Sequence, residues 1–239
     1  MTPDNNHSTS ATRISRRDGL ILAHVARNRI STCEVLHQLF FPEQQPNAVT
    51  KVTLRLTAAG YLRSFPLYHP RTYFTLGPAG AQRFGLSDGR TRPLGPQSLP
   101  LEYGVLSYAT RGDRLRQRLI RREIEEYCPD LPDGLYDQPH CINEGHAPPR
   151  LEIIRVDLGG RPDHIARKCQ ADAHARHHFD GFRRLLEQER VVVVIVTGTT
   201  VKAASIRDAL DNHVWPAGLQ FRLAVVPDLL PLIAGGFDA

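Results

Sequence analysis

The segment from Pro46 to Gly60, PNAVTKVTLRLTAAG, carries the side chains with the clearest chemistry in this chain. Asn47, Thr50, Lys51 and Arg55 share one side of a helical period, and all four are residue types that hydrogen-bond bases or phosphates. Val49, Val52, Leu56 and Ala59 recur on the other side, which makes an apolar stripe for a core. Pro46 suits the first helical turn, and Gly60 suits the C-terminal cap. A helix buried on one side and polar-basic on the other is what a DNA major groove accepts. An ordinary amphipathic surface helix has the same pattern, so the neighbouring elements decide between the two.

Those neighbours read as a small helical module. Residues 1–12 are polar and read as a disordered lead. Ser15 can cap a helix through RRDGLILAHVARN, with Leu20, Ile21, Val25 and His24 inward. Ser31 or Thr32 can cap the next helix, CEVLHQLFF, which would bury Val35, Leu36, Leu39 and Phe40 before Pro42 stops it. A short loop then reaches the Pro46 helix, giving a helix-turn-helix. YLRSFPLY and RTYFTLG, joined by His69-Pro70, read as two strands of a β-hairpin, and PAGAQRFGL as a closing helix. A helix-turn-helix followed by a hairpin predicts a winged helix over residues 13–86. His69 and Arg71 would lie at the wing tip, within reach of a phosphate or a minor groove.

Charge points to the same half. The net charge is +5, yet the residues up to Pro93 hold twelve Lys and Arg against five Asp and Glu, while the remainder holds eighteen against twenty. Positive charge concentrated this way attracts a polyanion and makes binding salt-dependent. No apolar run approaches the ~20 residues of a membrane span, and the N-terminus lacks a secretory pattern, so a cytoplasmic protein is expected. Cys33, Cys128, Cys141 and Cys169 are scattered without a CxxC pair, which suits reduced thiols.

Residues 87–100, SDGRTRPLGPQSLP, keep no apolar period and read as a linker. Beyond it the chain predicts a helix over 112–127 with Leu115, Leu119, Ile120 and Ile124 buried, and a strand in LYDQPHCI. A second strand in RLEIIRVDL precedes a long helical stretch broken near Asp180-Gly181. RVVVVIVTG reads as a strand buried on both faces, TVKAASIRDALDNH as a helix and QFRLAVVPD as another buried strand. That order gives an α/β layer over 101–239 with part of its sheet parallel.

Other chemistry finds little support. His174 and His178 have the i, i+4 spacing of a zinc clamp, with His177 and Cys169 nearby, but neither a third ligand nor HExxH is visible. GxxxxGK[ST], GxGxxG and GxSxG are all absent. Thr197 to Thr200 reads as a helix cap.

The stretches RLTAAGYLR and YFTLGPAGAQRFG resemble the winged-helix part of the replication-relaxation (plasmid mobilisation and relaxation) regulator family. Gly60-Tyr61-Leu62 and Leu76 to Ala81 stand at its recurring positions, with Gly77 in place of the usual Thr. Val156 to Gly160 resemble the segment that leads into that family's restriction-endonuclease-like domain, although Arg155 stands where a glutamate is usual. The resemblance implies an α+β two-domain chain, a winged helix-turn-helix followed by a nuclease-like α/β domain with a mixed sheet. In a magnesium nuclease, Glu152, Asp157, Asp163 and Lys168 would be the metal and base candidates, with Glu123 or Glu126 as a leftover ligand. Arg155 would repel the cation, so an inactive dimerisation or partner domain is expected.

The function expected is that of a sequence-specific double-stranded DNA-binding regulator of a plasmid or integrative mobile element, acting as a homodimer. No cofactor, metal or catalytic residue is assigned. The contacts would come from Gln45, Asn47, Thr50, Lys51 and Arg55, with Arg16, Arg17, His69 and Arg71 on the backbone. The alternatives are a metal-dependent nuclease targeted by the winged helix, and an adaptor whose C-terminal domain holds another mobile-element protein.

Overall fold

Ser15 opens the first helix, α1 (Arg16–Asn28). Its hydroxyl accepts from Asp18 N–H at 3.2 Å, and the Asp18 carboxylate accepts from Ser15 N–H at 2.8 Å, a reciprocal cap. The computed structural model describes residues 14–112 and 116–234, so the lead of residues 1–12 lies outside the described residues. Asp18, Ile21, Leu22, Val25 and Asn28 are buried at helical spacing. Leu20 falls off that stripe and is exposed, contrary to the expectation, while His24 is half-buried.

β1 (Ser31–Thr32) leads directly into α2 (Cys33–Phe40), where the Thr32 hydroxyl accepts from Val35 N–H at 3.3 Å. Leu36 is fully buried, and Val35, Leu39 and Phe40 are half-buried. The third helix, α3 (Asn47–Ala58), ends on Gly60 at φ +74°. Gly60 N–H bonds Thr57 O at 3.0 Å and Tyr61 N–H bonds Leu56 O at 2.9 Å, so the last carbonyls are satisfied by a left-handed cap. β2 (Leu62–Tyr68) and β3 (Arg71–Leu76) form the antiparallel hairpin across His69-Pro70, and β1 pairs on the other side of β3. α4 (Pro78–Arg83) follows.

Residues 87–100, read from composition as a linker, hold regular structure and are anchored at several points. A 3-10 turn spans Asp88–Thr91, and the Arg90 guanidinium donates to the Ala26 carbonyl. Leu94 N–H donates to Tyr73 Oη at 2.8 Å. α5 (Ser98–Thr110) already begins inside the segment. It is buried on nearly every side, and its one carboxylate, Glu102, is paired with Arg118 at 2.5 Å and Arg29 at 3.4 Å. One side lies on the hairpin; the other presses the large sheet so closely that a Cβ on Gly104 would meet Val156 Cγ1 at 2.8 Å.

The reading of 112–127 as one helix is corrected: the segment holds β4 (Arg116–Arg118), then α6 (Arg121–Tyr127). Leu119 and Ile124 are buried as expected, Ile120 is exposed, and Leu115 lies outside the described residues. The arginine-rich start offers no stripe to bury, whereas strand pairing satisfies its backbone. LYDQPHCI is strand only at its end. α7 (Asp133–Tyr136) precedes β5 (His140–Asn143), and Pro139, which lacks an N–H, separates them. The expected order then holds through β6 (Arg150–Val156), α8 (Pro162–His177), α9 (Asp180–Glu187), β7 (Val191–Thr197), α10 (Thr200–Asp211) and β8 (Leu219–Val225), after which α11 (Leu230–Ile233) is an addition. The reading of β8 as a buried strand is corrected: it is the last strand of its sheet and half-exposed throughout.

The chain is thus α+β and roughly half helical. Its five-stranded sheet has the order β4-β5-β6-β7-β8, antiparallel through β6 and parallel from β6 to β8. On β7, Val191, Val193 and Ile195 enter the core under α8 to α10, while Val192, Val194 and Val196 enter the core under α5. Side chains alternate faces along a strand, so a run of valines fills both cores. The second of these cores also contains Ile30, Leu67 and Tyr73 from the N-terminal half, and the halves therefore share apolar interior. No helix among the described residues is long and apolar enough to cross a membrane. The four cysteines are free.

Candidate nucleic-acid interface

α3 is held from behind. Val49 and Leu56 are buried, each such side chain contributing about 1.5–3 kcal/mol, and Val52 is half-buried. Thr53 is buried with them, and its hydroxyl is satisfied within the helix by Val49 O at 3.0 Å and Thr50 O at 3.1 Å. The opposite side presents Asn47, Thr50 and Lys51, all exposed, with Gln45 exposed just before the helix.

Leu54 completes that outward row at 65% exposure. It stands three residues beyond Lys51 and seven beyond Asn47, so the sequence placed it on the polar side. A large apolar group left in water there is the one signal the charge-based reading passed over. Such a group can meet a thymine methyl.

Arg55 is an exposed member of the helix, yet its guanidinium Nη2 lies 2.5 Å from Asp18 Oδ1. Burial opposes the charge on Asp18, but the Ser15 hydrogen bonds and Arg55 outweigh it and hold the carboxyl below its ordinary value. Arg55 therefore ties α3 to α1, so a base contact from it would have to compete with Asp18. The same pair brings the first turn of α1 beside the third turn of α3. Arg16 and Arg17 are exposed in that first turn, where a cation opposes the helix dipole. Arg17 stacks over the Phe41 ring at 4.8 Å.

The hairpin tip is placed elsewhere. Arg71 donates to Tyr68 Oη at 2.6 Å and to Asp228 Oδ2 at 2.9 Å, with Glu34 at 3.5 Å. The hydrogen bond to Asp228 raises its affinity for its proton further. Arg71 thus fastens the hairpin to the C-terminal half, and a phosphate would have to compete with Asp228 for it. His69 and Pro70 remain exposed at the tip. Arg92 is exposed, while Arg90 is drawn inward by Ala26 O.

The nuclease candidates are not brought together. Glu152 is fully buried on β6 and accepts from Tyr108 Oη at 2.8 Å, Asn143 Nδ2 at 2.8 Å and Arg222 Nη1 at 2.6 Å. Burial and the Glu152 charge push the Tyr108 phenol up to about 12, so it serves as a donor. Asp157, also buried, accepts from Gly159 N–H at 2.9 Å, Gly160 N–H at 3.1 Å and the Thr197 hydroxyl at 3.0 Å. Asp163 and Lys168 are exposed on α8. Glu123 is paired with Arg27, and Glu126 is exposed. Arg155 pairs with Asp172 of α8.

The histidine cluster is similarly open. His174 and His178 meet edge to face at 5.2 Å between ring centres and are exposed, as is His177, while Cys169 is buried. No grouping of three or more His, Cys, Asp and Glu suited to a metal occurs among the described residues. Thr199 caps α10, accepting from Lys202 N–H at 3.0 Å, as expected for that turn.

Comparison with protein-family models, curated proteins and solved structures returned no match to this chain.

Proposed function

We propose that this protein is a double-stranded DNA-binding regulator whose N-terminal half is a winged helix and whose α3 enters a major groove. One observation carries the reading: α3 turns Asn47, Thr50, Lys51 and Leu54 outward while burying Val49, Thr53 and Leu56. Those outward types suit base edges, phosphates and a thymine methyl. Arg16 and Arg17 flank the row as backbone contacts, and Gln45 precedes it. The C-terminal half is read as a restriction-endonuclease-like domain whose acidic positions serve structure, since Glu152 and Asp157 have their acceptor capacity engaged by the fold. A homodimer on a repeated site supplies the specificity that one such helix lacks. The resemblance sets this in a plasmid or mobile element.

The test is fluorescence anisotropy of the full chain on a duplex pool across a salt series. Affinity should fall linearly with log salt, and Lys51→Ala should lower the slope by about one unit for every duplex. An affinity that ignores salt, or a slope that Lys51→Ala leaves unchanged, would refute this docking.

A further inference from the structure

Four strands form the edges of the two sheets, and three of them are blunted. β1 has two residues. β2 carries Pro66 and a register shift between Pro66 and Tyr68. β4 has three residues and is tied at Arg118 to the end of α1, with Arg118 Nη1 donating to Asn28 O at 2.9 Å and Arg27 Nη1 to Arg118 O at 2.8 Å. β8 is longer and regular, and only its last carbonyl, Val225 O, is taken by an arginine side chain. It runs for seven residues, LQFRLAV, each half-exposed, with no proline and no lysine. An edge of that kind is a template for another strand.

The hydrogen-bond parity of β8 is fixed by its parallel pairing with β7. Val226 N–H bonds Thr197 O at 2.8 Å, so the even-numbered residues face β7 and the odd-numbered ones face outward. Two outward atoms already have partners: Leu219 N–H bonds Pro216 O at 3.2 Å, and Val225 O accepts from Arg111 Nη1 at 2.7 Å. Among the described residues this leaves the N–H groups of Phe221, Leu223 and Val225, and the carbonyls of Leu219, Phe221 and Leu223, without a bond along the edge.

We infer that β8 pairs antiparallel with β8 of a second copy, about a two-fold axis at Arg222. In that register Phe221 faces the partner's Leu223, and Val225 faces the partner's Leu219. Every bare donor then meets a bare acceptor. The two atoms already satisfied, Leu219 N–H and the partner's Val225 O, fall opposite each other, where no further bond is required. A register centred on Phe221 or Leu223 would strand part of the set. The Arg222 guanidiniums meeting at the axis are each neutralised at home by Glu152 at 2.6 Å. The far edge offers β8 a poor match, because β4 has three residues and its Arg118 carbonyl is already taken by Arg27, so the contact is isologous and closes as a dimer. The inference refines the dimer named above and fails separately from it: a monomer that still bound duplex would refute this pairing alone.

Sedimentation velocity on the full chain, with Leu223→Pro and Leu223→Ala, tests it. Both variants lose the same side chain, but only proline removes the outward N–H. The wild type and Leu223→Ala should sediment as dimers and Leu223→Pro as a monomer. Amide exchange of the wild type gives a reading that does not depend on any variant folding: Phe221, Leu223 and Val225 should be protected, and less so on dilution. A monomeric wild type, unprotected outward amides, or equal dissociation of the two variants would overturn the proposal.

Discussion

Arg27 and Glu123 face each other across the seam between the halves as a two-pronged pair, Nη1 to Oε2 at 2.6 Å and Nη2 to Oε1 at 2.9 Å. The geometry is that of a planar fork on a carboxylate. The hydrogen bond from Arg27 outweighs burial and holds Glu123 below its ordinary value near 4.5. A carboxyl lowered in the folded state stabilises fully above its unfolded value, and that contribution fades as pH falls through the folded one. Glu123→Gln should therefore flatten the loss of stability below about pH 4.5, read by urea unfolding at several pH values. A double-mutant cycle with Arg27→Ala should give a coupling of about 1–2 kcal/mol.

Specificity and attraction separate on α3. Leu54→Ala and Asn47→Ala should each reduce discrimination among duplexes, by about 1–3 kcal/mol at one position, and leave the salt slope intact. Competition against a randomised duplex pool reads both quantities. A change of slope in Leu54→Ala would place Leu54 outside the groove.

The inner half of α3 was legible because Val49, Val52 and Leu56 repeat at helical spacing and Gly60 closes the helix. The strands of the hairpin and β6 to β8 were legible for similar local reasons. The ion pairs of Arg55 and Arg71 were not legible because their partners, Asp18 and Asp228, are distant in sequence. A charge count cannot tell a free guanidinium from one already paired. The stretch 112–127 misled because its strand exists only through pairing with β5. Residues 87–100 misled because glycine and proline mark an irregular path as readily as a loose one.

Glu152 is a buried charge with its partners in place. Removing one member of such a group leaves the others uncompensated, so Glu152→Ala should cost about 3–5 kcal/mol in denaturant unfolding. Glu152→Gln keeps the shape, strands Arg222, and should cost less. A loss within error for both would mean the network contributes little to folding.

Gly218 sits at φ +81°, and a Cβ there would lie 1.9 Å from Leu186 O. The strain and the clash with backbone add, so Gly218→Ala should destabilise by well over the ~1 kcal/mol of a conformational penalty alone. Gly60→Ala, at φ +74° with its nearest contact 3.9 Å away, should show only that smaller penalty. Thermal unfolding of the two variants side by side distinguishes clash from backbone conformation.

Leu67 and Tyr73 of the hairpin are embedded in the same apolar interior as Leu99, Tyr103 and Val194. A module anchored in this way cannot swing on a tether. If two copies join as proposed, the distance between their groove-reading helices is a fixed length, a ruler set by packed side chains. Bound sites would then tolerate changes of base within each half far better than the insertion of a base pair between them.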